Sequence, residues 1–361
     1  MSAYRSIEWK DGKIRMLDQC LLPQRTVYVD YTDYHEVAAA IRNMVIRGAP
    51  AIGAAAAYGL ALAAWHMEER GVDALRAELH EAAAVLRATR PTAVNLSGAI
   101  DRVMAGVAVP GLQTVSDIRA AALAEAHAVA AEDVHTNRQI GLNALPLVPD
   151  RARIVHHCNT GALATVDYGT ALGIIRTAHE HGKAVFVFID ETRPRLQGAR
   201  LTAWELKQLG IPHTVIVDGA SGHFMRTVGI DLCTVGCDRV ARNGDTANKI
   251  GTCNLALVAS ALGVPFYVAA PTSTIDLSAP GGDAITIEER PEREVTHIGQ
   301  EQITPDGTRA SNPAFDVTPA QYITAIVTEA GIAYPPYEDS LPELVAKARE
   351  LHSANPPVAL G

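Results

Sequence analysis

From about residue 33 to 143 the apolar positions recur every three or four residues; from about 151 they gather into short runs separated by polar turns. The first rhythm is that of amphipathic helices. Residues 33–44 read as a helix, with Val37, Ala40, Ile41 and Met44 on one face. Further helices are expected at roughly 72–88, 93–105 and 115–143. Ahead of them, residues 5–30 alternate apolar runs with turns (KDGK, LLPQ), which predicts two or three antiparallel strands. Residues 49–65 are Ala-rich and apolar, broken by Pro50, with Gly53 and Gly59 inside. The stretch is short for a membrane span and reads as a buried core helix.

The second rhythm is strand, loop, helix. Strands are expected at 154–155, 184–189 (AVFVFI), 214–217, 231–236 and 266–270. Helices are expected at 162–181, 199–209 and 252–262, and the residues after Asp238 read as a loop. Alternating strands and helices predict a doubly wound parallel sheet with right-handed crossovers. The fold class is therefore α/β, with a smaller amino-terminal α+β domain of short antiparallel sheet plus helices. The expected division is 1–128 and 129–361.

The loops after these strands read HCNTG, DETRPRLQG, DGASGH, GCDRVARNGDTANKIG and APTSTID. All leave the same edge of a parallel sheet, where open α/β sheets bind ligands. Cys158 stands at a strand end and at the start of the expected 162–181 helix, whose terminus would favour a thiolate. Its alternative is a small buried hydrophobe. Asp238 follows an apolar strand; dry surroundings would raise its pKa and suit it to general-acid work. Its alternative is a salt bridge to Arg239. Arg47, Gly48 and Ala49 precede the Ala-rich helix, where backbone amides and a guanidinium could hold phosphate; an ordinary helix start with a surface arginine is the other reading. Arg90 marks a second helix start and by itself reads as a capping turn. Lys249 could meet phosphate or sugar oxygens, or be a solvated loop lysine.

Composition narrows the field. Of 361 residues 48% are hydrophobic and 20% charged, enough apolar content for a full core. Lys plus Arg is 31 against 40 Asp plus Glu, a formal charge of -9, which speaks against a general nucleic-acid binder. An anionic substrate would need a local basic pocket. The start, MSAYRSIEWKDGK, has no apolar run of the secretory kind, and five cysteines without one point to a reduced, cytoplasmic protein. Cys233, Cys237 and Cys253 lack the paired spacing of a zinc site. His157 and Cys158 are adjacent and should face opposite ways, which disfavours a thiol-protease pair. Neither a Gly-rich dinucleotide fingerprint nor a phosphate-binding P-loop is present.

Longer segments then match a family. Leu17-Asp18-Gln19 with Leu22-Pro23, IRGAPAIG (46–53), RPTAVNL (90–96), HCNTGALAT (157–165), ETRPRLQGARLTAWEL (191–206), GCDRVARNGDTANKIGT (236–252), APTSTIDL (270–277) and NPAFDVTP (312–319) run nearly end to end. In these the chain resembles the methylthioribose-1-phosphate isomerases, aldose–ketose isomerases of methionine salvage. The resemblance implies a Rossmann-like domain, Cys158 and Asp238 as the catalytic pair, and a sugar 1-phosphate as the small-molecule substrate. It implies substrate contacts from Arg47, Gly48, Ala49, Arg90, Gln197, Asn248 and Lys249. It also implies a homodimer with no metal or organic cofactor, and no nucleic-acid or membrane partner. The same fold serves in regulatory subunits of a translation-initiation exchange factor, which makes a non-enzymatic binding protein the rival class. Within the enzyme class, 5-deoxyribose 1-phosphate is the alternative substrate. Ser97-Gly98, where an aromatic is expected, and Ala220-Ser221-Gly222, where relatives often carry Met-Ala, depart from the family pattern.

Overall fold

The computed structural model describes residues 4–68, 71–91 and 93–354; Thr92 of the RPTAVNL stretch lies outside them. Packing divides the chain into two units. One holds the residues up to Thr136 together with Ala162–Gly169; the other holds Asn137–Gly161 and Thr170–Ala354.

In the first unit β1 (Ile7–Lys10), β2 (Lys13–Leu17) and β3 (Tyr28–Tyr31) form the expected antiparallel sheet. Helix α1 (Tyr34–Arg42) starts where Asp33 accepts the backbone N–H of His35, an N-cap that satisfies one otherwise orphaned donor. Helix α2 (Ala49–His66) is buried from Ala51 through Ala64. It is apolar on every side because α1, α3 (Val72–Arg87) and α4 (Val94–Val107) pack around it, and its small side chains let them approach. Among the described residues no helix is long and apolar enough to cross a membrane. Helix α5 (Val115–Ala144) spans 30 residues, and the expected 128/129 boundary falls inside it.

The second unit is built on a seven-stranded sheet. Its strands and helices follow as β4 (Arg151–His156), α6 (Ala171–Glu180), β5 (Ala184–Asp190), α7 (Ala203–Gln208), β6 (His213–Ile216), α8 (Ser221–Phe224) and β7 (Leu232–Val235). Then come β8 (Arg239–Ala241), β9 (Thr246–Lys249), α9 (Thr252–Ala261), β10 (Phe266–Ala269), β11 (Ile275–Asp276) and α10 (Arg293–Thr296). The chain closes with β12 (His297–Ile298), β13 (Glu301–Gln302), β14 (Phe315–Thr318), β15 (Ala325–Thr328), β16 (Gly331–Ala333) and α11 (Tyr337–Ala354).

The sheet order is β16-β15-β10-β7-β4-β5-β6. All neighbours are parallel except β15 and β16, so the sheet ends on an antiparallel strand that the expected parallel pattern did not include. Alternate residues face two separate cores: Val155, Cys233 and Ile326 enter one, Ile154, Leu232 and Val327 the other. Both faces are therefore covered, as in a doubly wound sheet. From β4 the chain winds outward through β5 and β6, then returns to the other side of β4 at β7. That reversal makes the β4–β7 boundary a topological switch point.

Two expectations fail locally. The residues after Asp238 are not a loop. β8 and β9 form an antiparallel hairpin around Asn243-Gly244, within a second sheet of order β11-β8-β9-β14. An Asn-Gly pair between two short runs is a hairpin signal, obscured here because the flanking strands are short and polar. The expected 162–181 helix begins only at Ala171. Before it, residues 162–169 leave the second unit and are tied into the first. There Gln19 Nε2 donates to Leu163 O at 2.7 Å, Asp133 accepts from Val166 N at 2.7 Å, and the Ser6 hydroxyl donates to Thr165 O.

Candidate active site

Cys158 follows β4 by two residues and Asp238 follows β7 by three. β4 and β7 are hydrogen-bonded neighbours, paired His156 to Thr234, so thiol and carboxylate leave adjacent strand ends at the switch point. The helix-terminus argument for Cys158 does not hold, because α6 begins thirteen residues beyond it. Its position is fixed differently. Cys158 is buried and adopts φ 66, a left-handed conformation uncommon for a residue with a Cβ. Its N–H donates to Thr192 Oγ1 at 2.9 Å and its carbonyl accepts from Thr202 Oγ1 at 2.7 Å. Strained backbone held from both sides by buried hydroxyls is typical of functional positions.

Asp238 is half-buried, and its N–H donates to Ala247 O at 2.9 Å across the β8–β9 hairpin. That hairpin also carries Asn248 and Lys249. Asn248 is buried, with Nδ2 donating to Thr252 Oγ1 at 2.9 Å. Lys249 is no solvated loop lysine: it sits in β9, with Nζ 2.7 Å from Ala314 O and 4.2 Å from the centre of the Phe315 ring. Gln197, at the end of the loop after β5, is buried, and its Oε1 has no hydrogen-bond partner among the described residues. A buried acceptor left unmet is costly unless something else supplies the donor. These five residues share the second unit.

Arg47, Gly48, Ala49 and Arg90 belong to the first unit. Gly48 is the N-cap of α2, at φ 99, with no side-chain cap on the helix. A Cβ there would lie 2.3 Å from Ala164 O, so only glycine fits against the 162–169 segment. Pro50 fills the first turn and removes one N–H, and no acidic side chain stands in that turn. The helix start is thus left open to an anion. Arg47 and Arg90 are both half-buried.

Several site residues escaped the sequence. His156 and His157 take different partners. His156 is buried between Thr234 Oγ1 (3.1 Å) and Thr160 Oγ1 (3.2 Å), and burial, with His157 beside it, pushes its pKa down to about 3. His157 is equally buried, 3.0 Å from Asp190 Oδ2 and 2.9 Å from Ile250 O. Burial alone would lower its pKa, but Asp190, Asp218 and the Ile250 carbonyl outweigh that and raise it. Ser221, one of the atypical positions, donates to Asp190 Oδ1 at 2.6 Å. Gly98, another of them, faces open space. Nothing in the chain's periodicity marks Asp190, Thr192, Thr202 or Ser221, because their roles arise only when separate strand ends meet.

His157, Asp190 and Asp218 are the group of possible metal donors among the described residues, their ligating atoms within 4.8 Å of one another. Each of these groups already makes hydrogen bonds. Asp218 accepts from Thr192 N and Arg193 N, each at 2.7 Å, and both nitrogens of His157 are engaged. The cluster is a hydrogen-bonded charge network. Cys233 is buried in β7, and Cys237 Sγ lies 3.2 Å from Thr274 Oγ1.

The profile of the initiation factor 2 subunit family matches residues 45–335. A methylthioribose-1-phosphate isomerase from Synechococcus sp. is 58% identical, the match covering 96% of this chain and 99% of that protein. The crystal structure of 5-methylthioribose 1-phosphate isomerase from Pyrococcus horikoshii superimposes with a TM-score of 0.92 at 40% identity, covering 96% of this chain and 97% of the other. The structure of translation initiation factor eIF-2B, subunit delta, from A. fulgidus gives 0.88 at 43% identity, covering 95% and 100%.

Proposed function

The chain belongs to the initiation factor 2 subunit family, and we propose that Asp238 and Cys158 carry its reaction. It is an aldose–ketose isomerase of methionine salvage, converting 5-methylthioribose 1-phosphate to 5-methylthioribulose 1-phosphate. The observation that carries the catalytic assignment is the pair of adjacent strand ends at the switch point, one bearing a conformationally held thiol and the other a carboxylate.

The phosphate caps the anomeric oxygen, so the ring must open before carbon chemistry can start. The bond from C1 to the ring oxygen breaks, its electron pair stays on that oxygen, and protonated Asp238 supplies the proton. C1 is left cationic. In one route Cys158, as thiolate, takes the C2 proton and the C–H electron pair forms an enol phosphate, which the Cys158 thiol, open to exchange with water, then reprotonates at C1. In the other, hydride passes from C2 to C1 while Cys158 stands against the developing cation. In both, the C2 hydroxyl proton returns to the Asp238 carboxylate as the ketone forms, so the enzyme ends as it began.

Arg47, the amides of Gly48 and Ala49, Arg90 and Lys249 hold the phosphate; Gln197 and Asn248 bind hydroxyls or phosphate. The unmet Gln197 acceptor and the uncapped α2 start support these roles. The protein works in the cytoplasm as a homodimer on this reading. The sheet edge at β6, where Val215 is 40% exposed, supports a partner subunit. Light scattering should return twice the chain mass; the mass of one chain would remove the dimer.

Proton NMR of the purified protein with methylthioribose 1-phosphate, and in parallel with 5-deoxyribose 1-phosphate, tests the reaction. Comparable turnover of the deoxy sugar would broaden the substrate class, and no turnover of either would refute the isomerase. Asp238→Asn should lose about 10²–10⁴ in kcat while still binding substrate; near-normal turnover would remove Asp238 from its role. In deuterated water, deuterium at C1 of the product marks the proton route, and its absence marks hydride transfer or a shielded proton.

A further inference from the structure

Three carboxylates, from Asp190 at the end of β5, Asp218 beyond β6 and Asp316 in β14, interact with one buried imidazole, that of His157. The other titratable neighbour, His156, is held neutral by its burial. His157 Nε2 meets the carbonyl of Ile250, which can only accept, so that nitrogen carries a hydrogen. Nδ1 meets Asp190 Oδ2, while the other carboxylate oxygen accepts the Ser221 hydroxyl. Burial pushes the Asp190 carboxyl up, and the hydrogens that His157 and Ser221 place on its two oxygens work against that rise; as the carboxylate those contacts favour, Asp190 demands a hydrogen on Nδ1 as well.

The far side of the ring touches the turn after Lys249. Gly251 has φ 100, and a Cβ there would lie 2.9 Å from His157 Cε1. Asp316 holds the same turn from the other side, accepting Gly251 N at 2.8 Å and Cys253 N at 3.1 Å. The imidazole therefore joins the residue before Cys158 to the residue after Lys249.

We propose that His157 is a positioning residue, kept as an imidazolium by the Asp190 carboxylate, which fixes the Asn248–Gly251 turn, and with it Lys249, relative to Cys158. This rests on the phosphate-binding role of Lys249 given above. The charge on the ring persists below its raised pKa and is lost as pH climbs through that value, so the grip on the turn weakens on the alkaline side.

The test uses the full chain labelled with ¹⁵N-histidine, the His157 signals being assigned from their loss in His157→Gln. Both ring nitrogens should be protonated in the wild type at pH 6.5, where a free imidazole is about half titrated, and Asp190→Asn should return the ring to a single protonated nitrogen. In kinetics, His157→Asn, too short to reach Ile250, should raise KM for methylthioribose 1-phosphate at least tenfold with a smaller change in kcat. His157→Gln, whose amide can still donate to Ile250 O, should recover most of that loss, and the alkaline rise in KM should be flattened in the Asn variant. A wild-type ring with one protonated nitrogen throughout pH 6–9 would overturn the inference, as would Asn and Gln variants with unchanged KM. Wild-type inactivity on both sugars would sink the reaction instead, and the protonation state read by NMR would then decide the inference by itself.

Discussion

The hydroxyl of Thr192 accepts the backbone N–H of Cys158 at 2.9 Å and donates in turn to Asp190 O at 3.0 Å. One threonine therefore links the strand end that carries the thiol to the strand end that carries the His157 partner. Thr192→Val keeps the shape and removes both bonds. The Cys158 N–H then loses its Thr192 acceptor, at a cost of about 1–3 kcal/mol. Chemical denaturation should show that loss, and kcat should fall more than KM rises because Cys158 loses its left-handed geometry. A variant with unchanged stability and kcat would show that the link does not hold the thiol.

Gly48 combines a φ of 99 with a backbone approach that leaves no room for a Cβ beside Ala164. Gly48→Ala should lose at least about 2 kcal/mol from backbone strain and overpacking together. The α2 start and the 162–169 segment must then separate, so the variant should also bind the sugar phosphate more weakly. Thermal melts with and without substrate measure both effects, and a wild-type melting curve would refute the contact.

Gln197 makes the opposite prediction. Its buried Oε1 has no partner among the described residues, so Gln197→Leu should leave folding stability unchanged or slightly increased. If that oxygen awaits a substrate hydroxyl, KM should rise about tenfold, the worth of one hydrogen bond. A clear loss of stability with unchanged KM would assign Gln197 to the scaffold instead.

Acid sensitivity is expected away from the chemistry. Burial alone would raise the pKa of Glu294, but Arg290 (2.8 Å) and Arg195 (2.8 Å) outweigh it and hold the carboxyl at about 2. A depressed folded pKa stabilises above the unfolded value, near 4.5, and that contribution is lost as pH falls from there toward 2. Glu294→Gln should therefore lose stability at pH 7, on the order of 2 kcal/mol after allowance for partial solvent screening. Its stability should change less than the wild type's between pH 4.5 and 2. Parallel acid titrations of the two proteins check this, and superimposable curves would refute it.

The chain by itself determined much of this protein. Helical spacing located α1 through α5 to within a few residues, and apolar runs located β4, β5, β6, β7 and β10, because burial of one face or of a whole strand is written into local periodicity. The long motifs carried the family and the candidate residues. What the sequence could not fix were relations between distant segments. The stretch 162–170 has helix-forming composition, yet Gln19, Asp133 and Ser6 satisfy its backbone in another conformation. The β8–β9 hairpin is short and polar, and becomes sheet only because β11 and β14 arrive to pair with it. Likewise His157 and Asp190 lie thirty-three residues apart and read separately as a strand-end histidine and a strand-end acid. Only the parallel register of β4 and β5 brings them to one buried contact, where the absence of water gives each its meaning.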